Sequence, residues 1–293
     1  MDDTAIGVLL AVLAAILWGV GNTIARVGLQ SIKATSASIL SLSAGLVVVW
    51  ITALVFEFDT LVSVSLVAIG WFALTGVLHL ALGRFLLYQT MRYIGAARGT
   101  SVAHSYPIFA LIFAIILLKE TPTIPVVIGT VSIVGGIYLL LTESSETSAI
   151  KKSRMLGYSV GLVAALLWGA VSILIKHVSQ FGPSFVVLSF ALLFGTLALS
   201  AATGKSFQIG VKANKKAIYL LLLSGFLNGI GLIGFYSALA KAPVVVVSPL
   251  VATSPLFTVL CVHLFLQRLE RITIHVLLGC LLVVAGGVLV AIY

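Results

Sequence analysis

Arg84 stands inside an apolar run that extends from about residue 65 to residue 93 of a 293-residue chain. A cation in such a run is costly in a bilayer, so it must face a protein interior, face water, or snorkel to the interface. It sits about five residues from the middle of the run, roughly 7–8 Å by helical rise. Two readings follow: an anchor for an anionic group such as a carboxylate or phosphate, or a side chain reaching the membrane surface. His79 precedes it within the same run, and Tyr88 follows one helical turn later on the same face.

Other polar or aromatic side chains lie near the middles of other apolar runs. They are Trp18 and Asn22 in the first, His104 and Tyr106 in the fourth, Trp168 and Ser172 in the sixth, Asn228 in the eighth and Ser254 in the ninth. Four-residue spacing puts Trp18 with Asn22, and Trp168 with Ser172, on single helix faces. A cavity shared by helices 1, 3, 4, 6, 8 and 9 would gather all of them as a substrate site. Plainer roles compete: Ser and Asn tie helices together by hydrogen bonds, and buried Trp and neutral His also serve as packing groups. His263 and His275 have no polar company and read as packing or interfacial residues. Pro107 and Pro255 fall at mid-run, where proline removes a backbone donor and kinks a helix.

Some chemistry is absent. No Asp or Glu lies deep in a run: Glu57, Asp59, Glu120, Glu143 and Glu270 all stand at ends. That speaks against a buried carboxylate exchanging protons with an organic cation, and against a carboxylate Na⁺ site. No phosphate-binding glycine loop, HExxH motif or Cys/His cluster occurs, so neither an enzyme nor an ATP-driven pump is expected, and no cofactor or metal. Cys261 and Cys280 fall within apolar runs and read as small packing residues.

The elements that must position these residues follow from composition. The chain is 61% hydrophobic and 9% charged, whereas a soluble domain carries roughly a quarter of its residues as charges. Apolar runs of about 20 residues recur, which defines an all-α polytopic membrane protein and excludes a soluble enzyme. Ten spans are expected, roughly 5–25, 36–56, 65–93, 98–118, 123–142, 156–176, 183–203, 216–240, 243–266 and 272–292. Met1-Asp2-Asp3 lacks the basic region of a signal peptide, so the first run is expected to be structural.

The chain repeats itself. Ala14-Ala15-Ile16-Leu17-Trp18-Gly19 returns as Ala164-Ala165-Leu166-Leu167-Trp168-Gly169, 150 residues on, and the same offset carries Arg26 onto Lys176. Thr75 to His79 matches Ser224 to Asn228 at 149, Tyr106 to Phe109 matches Ser254 to Phe257 at 148, and Glu120 matches Glu270 at 150. Small insertions between helices are the expected source of the drift. The result is two five-helix repeats, 1–148 and 149–293. An odd number of spans per repeat inverts the second relative to the first, the arrangement of secondary transporters with a site near the midplane.

Loops sort by charge. The side holding both termini carries three basic residues against five acidic ones, and the opposite side thirteen against three, with Arg84 alone between them. The positive-inside rule then puts both termini outside the cytoplasm. The net charge of +9 is thus a topology signal and not a nucleic-acid footprint.

The sequence resembles the drug/metabolite transporter superfamily, specifically its EamA-like ten-helix branch. The resemblance rests on Leu17-Trp18-Gly19 with Leu167-Trp168-Gly169, and on Ser105-Tyr106-Pro107 with Thr253-Ser254-Pro255. It rests also on Leu117-Leu118-Lys119-Glu120, and on the Gly129…Gly135-Gly136 and Gly279…Gly286-Gly287 runs. The resemblance implies helices 1–4 and 6–9 around a central cavity, peripheral helices 5 and 10, and transport of small metabolites, often export of amino acids or related compounds. Helix 2 departs from the family's Leu-Arg-Phe stretch, reading Ala37-Ser38-Ile39-Leu40. Related eukaryotic carriers generally place both termini in the cytoplasm, opposite to the charge count.

The reading is a secondary active or facilitative transporter in the plasma membrane, moving a small polar or anionic, amino-acid-like metabolite by alternating access. Its partners are that small molecule and the lipid bilayer. The alternatives are a translocase for a sugar-linked lipid or nucleotide sugar, and a non-transporting membrane scaffold.

Overall fold

In a bilayer an apolar run must satisfy its own backbone N–H and C=O groups, and a helix does so within one segment. The computed structural model describes residues 2–119, 121–142, 148–203 and 214–292 and forms helices without strands among them. Glu120, Glu143, Glu146, Lys205 and Lys212, and the side chains of Lys151 and Lys176, lie outside the described residues.

Among the described residues, ten helices are long and apolar enough to span a membrane. They are α1 (Asp3–Gly28), α2 (Ala34–Phe56), α3 (Leu66–Thr75, Gly76–Leu82 and Gly83–Ile94), α4 (Ala96–Ala103 and Tyr106–Leu118) and α5 (Ile124–Thr142) in the first half. The second half holds α6 (Ser148–Val178), α7 (Ser184–Thr203), α8 (Lys215–Lys241), α9 (Val244–Ala252 and Ser254–Phe265) and α10 (Ile274–Ile292). Helix starts carry side-chain caps where the sequence provides them: Asp2 accepts from Ala5 N at 2.8 Å and Ser65 from Ala68 N at 3.2 Å. Glu57, just beyond α2, reaches across and accepts from Val186 N at 2.8 Å in the first turn of α7. Burial there pushes its carboxyl above the usual range.

The packing is interleaved between halves. α1 lies against α8 and α9, and its repeat partner α6 lies against α3 and α4. α2 packs on α8 and α7 on α3, while α2 and α7 also meet each other. α5 and α10 pair closely at the side, where a Cβ at Gly136 would fall 2.6 Å from the Gly279 carbonyl oxygen, and α10 also packs on α4 and α9.

Three spans are interrupted. α4 breaks at His104-Ser105 and α9 at Thr253, and Pro107 and Pro255 stand in the first turn of the segments that resume. A proline there gives up an N–H that has no helical partner anyway, so both helices restart at proline instead of bending through it. α3 passes through a π-helical turn at Gly76–Leu82, which carries His79.

That turn corrects one expectation. Part of the repeat drift arises inside a span and not between helices. His79 and Asn228, 149 apart, each accept an indole N–H through their carbonyl, from Trp168 at 3.3 Å and Trp18 at 3.2 Å. Gly83 and Gly231, 148 apart, each lie under those same indoles, where any Cβ would collide with the ring. Between these two anchors α3 has three residues and α8 has two. A one-residue insertion into an α-helix is absorbed as a π-bulge, a feature frequent at functional sites.

Candidate substrate cavity

Between the halves lies a cavity of about 340 Å³. It receives side chains from α1, α3, α4, α6, α7, α8 and α9, and its lining includes every candidate site residue from the sequence except Tyr88. The lining extends to Ile175, Leu188, Tyr236 and Ser248, which lie toward the face that holds the termini. At the other end Leu29, Leu87, Met91, Ile94, Val102 and Leu221 are buried together and fill the space.

One wall is an aromatic cluster centred on Trp168. His79, His104 and Tyr106 meet its ring edge-to-face at 6.1, 6.0 and 6.5 Å between centroids. Across the cavity Trp18 packs on Phe235 at 5.9 Å, and Phe235 on Tyr236 at 5.2 Å. His104 ties the broken helices together: Nδ1 lies 2.8 Å from the Thr100 carbonyl, and Nε2 lies 3.2 Å from Ser254 Oγ. A carbonyl only accepts, so Nδ1 carries the proton and the Ser254 hydroxyl donates to Nε2 in neutral His104. Ser172 Oγ donates to the Gly169 carbonyl at 2.6 Å.

Arg84 is half-buried and presents the formal cation among the lining residues, and no Asp or Glu is among them. Its guanidinium carbon lies 5.7 Å from the centroid of the Tyr88 ring. Tyr88 itself is fully buried away from the wall, with its hydroxyl 3.0 Å from Ser41 Oγ and 3.3 Å from Ser224 Oγ. Asn22 is 4% exposed, and its Oδ1 is buried without a hydrogen-bond partner. Such an orphan acceptor typically costs on the order of 1–3 kcal/mol. Asn228 uses its Nδ2 on the Ser224 carbonyl at 2.7 Å.

The charge on the walls is one-sided. Following the offset of 148 beyond the π turn, Arg84 is matched by Leu232 and His104 by Ala252, and all four line the cavity. The first half therefore contributes the cation and both histidines, and the second half apolar or neutral groups.

The closed end is pinned by an ion pair between distant parts of the chain. Arg26 Nε donates to Glu270 Oε1 at 2.7 Å, with side chains 12% and 3% exposed. The same carboxylate accepts from Ala96 N at 2.7 Å and Ala97 N at 3.2 Å, at the positive end of α4. Gly95 makes this approach possible: its φ is +88°, and a Cβ would lie 2.4 Å from a carboxylate oxygen. Sequence reasoning placed these charges on one face but did not pair them. Phe235, Tyr236 and Ser248 were also missed, being aromatic or small residues in apolar runs.

Ten membrane-spanning helices, in two inverted repeats that interleave around a cavity, define a polytopic protein of the transporter class. Comparison with known proteins agrees. The sequence profile of the EamA-like transporter family matches residues 5–142 and 155–292, and the chain belongs to that family. An uncharacterised transporter of Clostridium kluyveri is 22% identical over 225 residues, 75% of this chain and 71% of that protein. The pseudopaline exporter CntI of Pseudomonas aeruginosa is 27% identical over 133 residues, 44% of this chain and less than half, 46%, of the exporter. A solved crystal structure shares the fold with TM-score 0.65 at 18% identity, over 97% of this chain and 95% of that one.

Proposed function

We propose that this protein moves a small anionic, amino-acid-like metabolite across the plasma membrane by alternating access, as a secondary active or facilitative carrier. The observation that carries the reading is Arg84 facing a central cavity that has no acidic side chain on its wall. A guanidinium in that position meets a carboxylate or phosphate with a fork of N–H donors, and the aromatic walls receive the body of the ligand. An exporter among the relatives supports the direction outward. The repeats 1–148 and 149–293 supply equivalent helices to the site, and groups of helices drawn from both repeats rock around it.

The test is flux in proteoliposomes against a panel of carboxylates, amino acids, phosphorylated metabolites and nucleotide sugars. Saturable, Arg84-dependent movement of an anion is expected. Uniform leakage, or saturable movement of neutral and cationic compounds only, overturns the reading.

The charge count supports both termini outside the cytoplasm, so that the cavity opens away from it. A C-terminal reporter active only in the cytoplasm is expected to stay silent and an external one to be active; the reverse pattern overturns the orientation.

A further inference from the structure

We propose that Tyr88 is a positioning residue, a fixed platform that holds the Arg84 guanidinium over the cavity floor. The inference rests on Arg84 being the anion anchor, and concerns what keeps that side chain where a ligand meets it. A long cationic side chain in a span otherwise has the freedom to reach toward the interface.

The Tyr88 ring is 0% exposed and lies beneath the guanidinium carbon at 5.7 Å. A cation held over an aromatic face gains most when both are withdrawn from water. The ring is fixed by its own far end. The hydroxyl donates to Ser41 Oγ of α2 at 3.0 Å and sits 3.3 Å from Ser224 Oγ of α8, so three helices meet at one oxygen.

That meeting depends on close backbone approach between α2 and α8. A Cβ at Gly225 would collide with the Ser41 carbonyl, and one at Gly229 would lie 3.1 Å from the Gly45 Cα. The small residues at 41, 45, 225 and 229 therefore bring both serines to the tyrosine. The network continues to the cavity wall. Asn228 Nδ2 donates to the Ser224 carbonyl at 2.7 Å, and Trp18 Nε1 donates to the Asn228 carbonyl at 3.2 Å. Arg84 is thus referenced through Tyr88 to the opposite half of the protein. The tyrosine acts on the ligand through Arg84 and not by contact, which accounts for its place behind the wall.

Two readouts on the full-length protein in nanodiscs test this. The first is the arginine side-chain ¹⁵N–¹H spectrum, with the Arg84 Hε resonance assigned by its loss in Arg84→Gln. A proton held over a ring is shifted upfield, and in Tyr88→Leu it is expected to move to the position of freely rotating arginines. An unchanged resonance overturns the proposal. Should Tyr88→Leu not fold, the Ser41→Ala/Ser224→Ala pair keeps the ring and removes its tether; a broadened or displaced resonance supports the proposal and an unchanged one overturns it. The second is binding of benzoate, with benzamide as the neutral control, followed by tryptophan fluorescence. Tyr88→Leu is expected to weaken benzoate about tenfold in the presence of Arg84 and not at all on the Arg84→Gln background. Equal weakening on both backgrounds overturns it. Benzoate binding no tighter than benzamide in the unsubstituted protein would instead sink the anion reading of Arg84, and the resonance would still decide the role of Tyr88.

Discussion

Replacing Arg84 by Leu is expected to abolish saturable anion flux while leaving the protein at least as stable as before. The two effects have one cause. In the membrane interior a guanidinium costs on the order of 2.5–3.5 kcal/mol by insertion scales, and no acid on the cavity wall offsets that cost. The cation–π contact with Tyr88 returns only part of it, on the order of 0.5–2 kcal/mol for a half-buried cation. A structural arginine would show the opposite sign, because its loss would orphan a partner. Arg84→Gln keeps a donor but loses the charge. Removing a charge-assisted hydrogen bond, worth on the order of 1.5–3 kcal/mol, weakens anion binding by about 10- to 150-fold. Arg84→Lys is expected to fall between, since an ammonium is a point charge without the planar fork. Thermal unfolding in detergent, measured beside flux in proteoliposomes, checks both halves of the expectation. Loss of stability in Arg84→Leu comparable to the loss of transport would make Arg84 a structural residue.

Much of this site was legible because membrane interiors make polar residues conspicuous. Asn22, His79, Arg84 and Asn228 each break an apolar run, and each proves to line the cavity. Phe235 and Tyr236 line the facing wall without such contrast, because an aromatic in an apolar run looks the same whether it faces lipid, core or cavity. Tyr88 has the right spacing from Arg84 for a shared face, yet its hydroxyl is taken up by Ser41 and Ser224. Those serines lie 47 and 136 residues away, and nothing local in the sequence pairs them.

The ten spans and their inverted halves followed from run length and repetition, which are local and one-dimensional signals. The π turn in α3 left a trace of the same kind, a change of repeat offset from 149 to 148 between His79 and Gly83. Short matched blocks do not show where in the chain that step occurs. Only the two indoles, each bonded to a carbonyl and resting on a glycine, fix it inside the span.

Glu270→Gln is expected to open the face that the present structure keeps shut. The carboxylate receives Arg26 and two amides at the start of α4, and it is nearly free of solvent. Glutamine retains one acceptor oxygen for the amides but removes the charge that Arg26 faces. Charge-assisted hydrogen bonds contribute on the order of 1.5–3 kcal/mol, so the closed state loses at least about a tenfold advantage over an open one. Glu270→Ala goes further, leaving Arg26 buried without its partner at a cost of about 3–5 kcal/mol, and is expected to lower the unfolding temperature as well. The conformational effect is read with Leu29→Cys, a buried position of the packed layer one helical turn beyond Arg26 on α1, labelled by a membrane-impermeant maleimide from that side. Labelling of Leu29→Cys is expected to be slow alone and faster by about tenfold with Glu270→Gln. Arg26→Gln should accelerate it in the same way, and the two substitutions together should not add, because they break one interaction. If labelling stays slow in a folded Glu270→Gln protein, the pair is a static brace and the cavity opens by a route that leaves α1 and α4 joined.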